Sequence, residues 1–265
     1  MWVRIGRDRR KEIAVAEDLK IESEGAQLAA HFARPAGVGR VPGVVLCHGF
    51  PQGPNGATSV GVTYPGLADR LSDLTGWAVL TFSFRGAGKS PGDFSVPGWL
   101  SDIDASVTWL LARPDVSGAG IIGSATGGAL CVVHAASDDR VRGVCTLAAP
   151  ASIRNWVDNP LQFVEHARRM GVIQSEGFPS NITAWAREIA ELDPLAAAAK
   201  IPPRPFLILH GADDDVVPPE ASVAYAEAAG PGAAEHRILA GAGHRLRHDP
   251  RVVALVAGWM SRQEQ

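Results

Sequence analysis

Side chains that can move protons or bind anions stand beside glycines in five short segments of the sequence. Imidazole takes up and returns a proton near neutral pH, and carboxylates and cations can hold a reacting group in place. Glycines permit the tight turns that expose such groups. The five segments are His48–Pro51 (HGFP), Arg85–Ser90 (RGAGKS), Gly123–Gly128 (GSATGG), His210–Pro218 (HGADDDVVP) and Gly241–His244 (GAGH).

Four of the five segments follow short apolar runs that have the character of buried strands. Runs of four to eight apolar residues between Gly or Pro suit strands covered on both faces. The runs predicted as strands are Gly43–Cys47, Trp77–Phe84, Ala119–Ile122, Val141–Ala148 and Pro205–His210. Amphipathic stretches alternate with them and are predicted as helices: Tyr64–Gly76, Val96–Pro114, Gly127–Ala136, Ser222–Gly230 and Asp249–Ser261.

This alternation predicts βαβ units and a largely parallel sheet. Two more polar stretches, Glu12–Ser23 and Gln27–Arg34, predict an antiparallel hairpin at the edge of the sheet. Residues 151–201 are longer than one crossover helix requires and have helical texture, and an insertion of this kind usually covers something. Because open α/β sheets bind ligands beyond the carboxyl ends of their strands, we expect the glycine-containing segments to meet there.

Together these motifs resemble the α/β-hydrolase superfamily, in its serine esterase, lipase and aminopeptidase-like branch, from about Gly43 to the C-terminus. The resemblance implies an α/β fold with a mostly parallel eight-stranded sheet flanked by helices. It implies a single domain over residues 1–265, with residues 151–201 inserted as a small helical cap. It also implies a nucleophile on a G-x-S-x-G elbow, followed along the chain by an acid and then a histidine.

The nucleophile position of that elbow is occupied by alanine. With Gly123 and Gly127 as the two glycines, the middle position falls on Ala125. Placing Ser124 or Thr126 at the apex would replace at least one flanking glycine by a bulkier residue, which a tight turn disfavours. We therefore assign the nucleophile position to Ala125 and expect serine there in a catalytic form.

Two explanations of this alanine stay open: a serine has been replaced, or the protein is a natural non-hydrolytic member of the fold. We favour replacement, because the members of a triad depend on one another and a lineage without catalysis has little chemical reason to keep the rest. An aspartate at position 125 would instead indicate a dehalogenase or epoxide hydrolase, and a cysteine a dienelactone-type hydrolase.

The resemblance carries the acid and the base over to Asp214 and His244. His244 follows a Gly-x-Gly turn and precedes the last predicted helix, where the family has its general base. Asp214 lies three residues after the glycine of the H-G-x-x-D loop, where the family has its acid, and its neighbours Asp213 and Asp215 are read as a solvated acidic turn. The acid would fix the tautomer of the imidazole and stabilise its protonated form.

The resemblance also implies an oxyanion hole made by the backbone amides of Phe50 and Thr126. We interpret His48 and His210 as structural residues. Arg85–Ser90 lacks the spacing of a phosphate-binding loop and is interpreted as a structural turn. No cofactor is expected, and no cluster of His, Cys and carboxylates has the spacing of a metal site.

The loop Pro51–Thr63 and the insertion at 151–201 are expected to form the walls of the pocket. Trp156, Phe163 and Trp185 could line an apolar acyl or aryl site, although aromatic residues on helices more often pack against a sheet. Three arginines of the insertion could bind an anionic substrate group or merely cover a solvated helix face: Arg154, Arg168 and Arg169.

Composition excludes several other classes of protein. Among 265 residues, 25 Lys and Arg stand against 28 Asp and Glu, a net charge of −3 that argues against a nucleic-acid binder. No apolar run approaches the ~20 residues of a membrane span, and the basic N-terminal residues precede no apolar stretch of the kind a signal peptide has. The three cysteines lie in apolar runs, as expected of buried thiols in a reducing compartment.

The sequence thus predicts a cytoplasmic protein that acts on a small ester, as a monomer or a homodimer, with no nucleic-acid partner and no membrane span. The expected activity is hydrolysis of carboxylic esters through an acyl-enzyme, by a Ser-Asp-His triad whose serine is here alanine. Similar compact sequences include carboxylesterases, feruloyl-type esterases, acyl-glycerol lipases and small aminopeptidases. The alternatives are a non-hydrolytic binding protein on the same fold, or a cofactor-free lyase or oxygenase that uses His244 as base.

Overall fold

The computed structural model describes residues 15–37, 39–52, 56–59 and 62–263. The basic residues before position 12, residues 12–14 of the predicted hairpin and residues 53–55, 60 and 61 of the predicted pocket loop lie outside them. The structure contains one eight-stranded sheet with strands β1 Val15–Ser23, β2 Ala26–Arg34, β3 Val41–Cys47, β4 Ala78–Phe82, β5 Val116–Ser124, β6 Val141–Leu147, β7 Phe206–Gly211 and β8 Glu235–Leu239.

The strands lie in the order β1-β2-β4-β3-β5-β6-β7-β8. β1 and β2 form an antiparallel hairpin, β2 pairs antiparallel with β4, and every later pair is parallel. The predicted mostly parallel sheet and the edge hairpin are therefore confirmed. The central strands are buried on both faces, and all five residues of β4 are inaccessible to solvent, as their apolar runs predict.

Helices cover both faces of the sheet. They are α1 Tyr64–Thr75, α2 Val96–Leu111, α3 Thr126–Ala135, α4 Pro160–Met170, α5 Ile182–Ala190, α6 Pro194–Ala198, α7 Glu220–Ala229 and α8 Pro250–Arg262. α1 and α8 pack on one face, where Val44, Leu46 and Leu207 belong to the core. α2, α3 and α7 pack on the other, against alternate residues of the same strands such as Val45 and Ile208. This alternation is the two-residue period of a strand covered on both sides.

The segment between β6 and β7 forms three helices, each of which begins at a side-chain cap. Asn159, Asn181 and Asp193 accept hydrogen bonds from the amides three residues later, and so satisfy donors that the first helical turn leaves unpaired. α4 and α5 contact each other, whereas α6 packs on α3 and α7. The helical texture predicted for this segment is therefore present.

A buried ion pair holds the segment after β4 against α2 and the edge hairpin. The guanidinium of Arg85 donates to the side chain of Asp102, at 2.8 Å from Nη2, and the Arg85 amide donates to the other carboxylate oxygen at 2.8 Å. The hydroxyl of Ser23 donates to the same carboxylate at 2.7 Å. These contacts account for Arg85 without a phosphate ligand, in agreement with a structural role for Arg85–Ser90.

His31 joins the edge hairpin to α1 through two carboxylates. Its Nδ1 lies 2.7 Å from Asp18 and its Nε2 lies 2.8 Å from Asp69. Burial alone would lower the pKa of His31, but the hydrogen bonds and charges of Asp69 and Asp18 raise it above its usual value. Protonated His31 therefore stabilises the folded protein fully at pH values below the pKa of an unfolded histidine. This stabilisation is lost as the pH rises through the higher pKa of His31 in the folded protein.

We expect His31→Gln to lower the free energy of unfolding by up to about 1 kcal/mol near pH 5 and by clearly less near pH 9, because Asp18 is well exposed and the pair is screened. Denaturant unfolding at the two pH values measures the difference. The control is His248→Gln, since His248 lies near Arg247 and Arg245 and its pKa is lowered. The same loss for His31→Gln at both pH values would contradict the assignment.

Among the residues that the structure describes, no helix is both long and apolar enough to cross a membrane. Cys47, Cys131 and Cys145 are buried free thiols, as predicted.

Candidate active site

Ala125 forms the turn between β5 and α3. Its backbone has φ 48° and ψ −127°, a strained conformation for a residue with a side chain. The amide of Ala125 donates to the Leu147 carbonyl at 2.8 Å, and its carbonyl accepts from the Gly128 amide at 2.8 Å. Strand, sharp turn and helix thus follow one another here as in a nucleophile elbow, with residue 125 at the apex.

The glycines on either side of Ala125 lie where no side chain fits. A Cβ on Gly127 would lie 2.0 Å from the His48 carbonyl oxygen, and one on Gly123 would lie 2.5 Å from the Gly127 carbonyl oxygen. Both contacts are with backbone, so neither could be relieved by a rotamer change. The spacing Gly-x-Ala-x-Gly is therefore a steric requirement of this turn, and it fits residue 125 at the apex rather than residue 124 or 126.

The segment after β3 packs directly against this turn. A Cβ on Gly49 would lie 2.8 Å from the Cβ of Ala125 and 3.5 Å from the amide nitrogen of Thr126. Thr126 is the first residue of α3, so its amide has no acceptor within the helix and lies at the positive end of the helix dipole. Phe50 follows Gly49 directly. The amides of Phe50 and Thr126, which are predicted to form the oxyanion hole, therefore lie on neighbouring turns.

His48 has a structural role in this segment. Its Nδ1 donates to the Gly49 carbonyl at 2.7 Å, and its Nε2 accepts from the Phe84 amide at 3.0 Å. Burial lowers the pKa of His48 to about 4, so the ring is neutral at pH 7. With both nitrogens engaged, His48 orients the segment and takes no part in proton transfer.

Asp214 and His244 form a hydrogen-bonded pair in which Asp214 is buried and His244 is partly exposed. Nδ1 of His244 lies 2.9 Å and 3.1 Å from the two carboxylate oxygens of Asp214. Asp214 also accepts hydrogen bonds from the amides of Val216 and Val217, at 2.9 Å each. Because Nδ1 faces the carboxylate, Nε2 of His244 is left for a substrate or nucleophile.

The environment of Asp214 keeps its carboxylate charged. Burial by itself would raise the pKa of Asp214, but the Val217 amide, the His244 ring and the Val216 amide together hold that pKa below its usual value. Its neighbours Asp213 and Asp215 are exposed. Of the three consecutive aspartates, only Asp214 contacts an imidazole.

His210 contacts the same carboxylate from within the core. Its Nε2 lies 2.9 Å from the Val217 carbonyl and 3.2 Å from Asp214, and both side chains are inaccessible to solvent. The sequence predicts that His210 packs at the end of a strand. The structure adds that His210 holds the loop that carries Asp214.

The sheet brings the elbow and the acid–base pair to one edge. Ser124, Leu147 and Leu209 are level with one another in parallel register. Ala125 follows Ser124 directly, and Asp214 lies in the turn after β7. His244 lies in the turn after β8. All three positions are therefore at the carboxyl ends of the strands, where ligands of such sheets bind.

Tyr64 is a contact of the elbow that sequence analysis did not identify. Its side chain is buried and hydrogen-bonds Ser124, and the guanidinium of Arg247 lies 5.4 Å from the centre of its ring. Burial raises the pKa of Tyr64, so the phenol is neutral at pH 7. Nothing in its position at the start of α1 distinguishes it from a packing residue in the sequence.

The three aromatic residues predicted to line the substrate pocket differ in their surroundings. Trp156 and Phe163 line a cavity of about 410 Å³ together with Phe50. Trp185 does not line this cavity; its buried indole donates to the Phe94 carbonyl at 3.0 Å and its ring stacks on Phe163. A second cavity of about 530 Å³ is lined by His244, and Gln52 lines both.

A separate group of titratable side chains lies at the other end of α3, away from this edge. Asp104, His134 and Asp138 lie close enough for one cation to contact all three. Arg140 already pairs with both carboxylates, at 2.5 Å from Asp104 and 2.8 Å from Asp138. The guanidinium therefore supplies the positive charge that this group needs.

The chain is similar in sequence to one family model and in fold to solved structures. The family model described as the alpha/beta hydrolase fold matches residues 42–193. No curated protein sequence matches the chain. Among solved structures, Est1E from Butyrivibrio proteoclasticus with ferulic acid bound has a TM-score of 0.68 at 21% identity, covering 93% of this chain and 97% of its own.

Two further esterases have similar structures. Acetyl xylan esterase 1 from Thermoanaerobacterium sp. JW/SL YS485 has a TM-score of 0.66 at 17% identity, covering 97% of this chain and 86% of its own. The Pyrococcus furiosus esterase Pf2001 has a TM-score of 0.66 at 21% identity, covering 94% of this chain and 93% of its own. At these identities the likeness is one of fold.

Proposed function

The chain belongs to the α/β-hydrolase fold family, and from that premise we propose that its site is built for hydrolysis of carboxylic esters through an acyl-enzyme, with Ala125 in the place of the nucleophilic serine. The observation that carries the proposal is the position of the elbow at the same edge of the sheet as the hydrogen-bonded pair of Asp214 and His244. The esterases of similar structure agree with it.

In the proposed mechanism a serine at position 125 attacks the ester carbonyl while Nε2 of His244 takes the hydroxyl proton. Asp214 fixes the tautomer of the imidazole and stabilises the imidazolium. The amides of Phe50 and Thr126 stabilise the negative charge that develops on the carbonyl oxygen. The imidazolium then returns the proton to the leaving alcohol, and His244 activates water to release the acid.

The segment 151–201 serves in this proposal as a cap over the site. Trp156 and Phe163 come from it and contact Phe50 at ring-centre distances of 5.1 Å and 5.6 Å. The cap thus supplies apolar walls beside the proposed oxyanion hole.

A second candidate function follows from the alanine itself. Without a nucleophile, the chain retains a base that could remove a proton from a bound substrate, or a pocket that only binds. A lyase or oxygenase of this kind would turn over a non-ester substrate with Ala125 in place, and His244→Ala would abolish that turnover. A binding protein would show affinity without turnover.

A fluorophosphonate probe distinguishes these functions, since it labels a serine only when a base and an oxyanion hole activate that serine. We expect Ala125→Ser to be labelled and the Ala125 protein not to be. The control is the double variant Ala125→Ser with His244→Ala, which should lose labelling because no base remains. If Ala125→Ser is inert to the probe although correctly folded, the hydrolase proposal fails and the binding function is favoured.

A further inference from the structure

The cavity of about 410 Å³ beside Phe50 is placed to receive the part of a substrate that lies next to the scissile bond. It is lined by residues of the segment after β3, by four residues between positions 155 and 159 and by one face of α4. Gln52 also lines the cavity that contains His244, so the two cavities are neighbours. A molecule whose ester lies between Ala125 and His244 would extend into it over Phe50.

The inner wall of this cavity is aromatic. The rings of Phe50, Trp156 and Phe163 lie 5.0 to 5.6 Å apart, centre to centre. The ring of His166 lies 6.1 Å from that of Phe50, and the two planes differ by 19°. Such a surface favours a flat aromatic group, which gains both from burial and from ring contacts.

The outer wall of the cavity carries a positively charged side chain, that of Arg169. Phe163, His166 and Arg169 follow at three-residue intervals on α4 and so share the face that lines the cavity. Arg169 is exposed and makes no hydrogen bond or ion pair with any residue that the structure describes. Arg168, in contrast, donates to the carbonyls of Ser175, Glu176 and Phe178, which accounts for its guanidinium.

The two titratable neighbours of Arg169 do not cancel its charge. Burial, and then the nearby charge of Arg169, lower the pKa of His166, which leaves its ring neutral at pH 7. Asp158 is the acidic residue among those that line the cavity, and it precedes α4. Arg169 lies near the other end of that helix, roughly 13 Å along the axis from its first residue, Pro160. The cavity therefore has a positive end and a negative end.

We propose that this cavity binds an aromatic group that carries an anionic substituent, such as a carboxylate, on the side away from the ester. The ring would lie on Phe50, Trp156 and Phe163, and the anion would pair with the guanidinium of Arg169, whose forked donors suit a carboxylate. The inference rests on the proposed function for the position of the ester bond. The affinity itself needs no nucleophile.

Calorimetric titration of the Ala125 protein tests this directly, because bound ester is not consumed. The probes are methyl 4-carboxybenzoate and the neutral methyl 4-methylbenzoate, which differ only in the group that would reach Arg169. We expect the anionic ester to bind about tenfold more tightly, as for one well-placed ion pair. Arg169→Ala should remove that preference, so that the two esters bind with about equal affinity.

The matched control is Arg154→Ala, which makes the same change in net charge at an exposed arginine that does not line the cavity. It should keep the preference for the anionic ester. Equal affinity for the two esters, no binding of either, or a preference that survives Arg169→Ala would overturn the inference.

The failure of this inference is distinguishable from that of the proposed function. If Ala125→Ser hydrolyses neutral esters but the preference is absent, only the cavity assignment is wrong. If the preference is present and depends on Arg169 while Ala125→Ser hydrolyses nothing, the cavity assignment stands and the ester hydrolase proposal fails.

Discussion

Ala125→Ser is expected to create hydrolysis of p-nitrophenyl esters at a rate at least about 10³-fold above that of the Ala125 protein. The new hydroxyl would stand at the apex of the turn, beside the amide of Thr126 and the segment Gly49–Phe50. Asp214 and His244 are already paired at 2.9 Å, so the base does not need to be assembled. Release of p-nitrophenol measures the rate.

The matched control for this gain is Ala125→Ser combined with His244→Ala. Members of a triad act as one unit, so the double variant should fall back close to the rate of the Ala125 protein. A serine variant that hydrolyses esters equally well without His244 would show that the activity comes from elsewhere. A serine variant that folds but has no activity on a broad set of esters would contradict the proposed mechanism.

Asp214→Asn, made in the Ala125→Ser background, should lose on the order of 10⁴ in kcat. The asparagine keeps the shape of the side chain but removes the charge that stabilises the imidazolium, and it can place an N–H group where Nδ1 of His244 needs an acceptor. The KM for the ester should change little, because Asp214 is buried behind the imidazole. Steady-state kinetics separate the two parameters.

Asp213→Asn provides the comparison within the same acidic turn. Asp213 is exposed, whereas Asp214 contacts His244 and His210. The Asp213 variant should therefore keep nearly full activity. Equal losses at the two positions would mean that the effect reflects the folding of the loop rather than the orientation of His244.

Much of the fold follows from local patterns in the sequence. The runs that became β3, β4 and β7 are apolar on both faces because both faces are covered, so their composition alone identifies them. β8 does not stand out as an apolar run in the sequence, since Glu235–Leu239 is an edge strand with only Leu239 buried. Its presence followed only from the family resemblance, which implied eight strands.

The elbow was predictable because its glycines are dictated by close backbone contacts. Gly123 and Gly127 leave no room for a side chain, so their spacing marks the turn even where the nucleophile is missing. The assignment of Asp214 depends on the resemblance, because three consecutive aspartates look alike in sequence. Burial and the Val216 and Val217 amides distinguish Asp214 from its neighbours, and these contacts exist only in the folded loop.

The lining of the pocket could not be derived from the sequence. Trp156, Phe163 and Trp185 have similar surroundings in the chain, yet Trp185 lies behind Phe163 and donates its N–H to the Phe94 carbonyl. Likewise, Arg168 and Arg169 are neighbours, and only the rotation of α4 decides that Arg169 faces the cavity. Whether a side chain faces the cavity depends on how its helix packs on the sheet, and local sequence patterns do not determine that packing.

The central claim is that residue 125 occupies the position of attack, and the site of fluorophosphonate labelling tests it most directly. Ala125→Ser should be treated with the probe, digested, and its peptides sequenced by mass spectrometry. We predict a single label on the serine at position 125 and none on the Ala125 protein. A label on Ser124 or Thr126 in either protein, or on a serine outside the elbow, would contradict the claim.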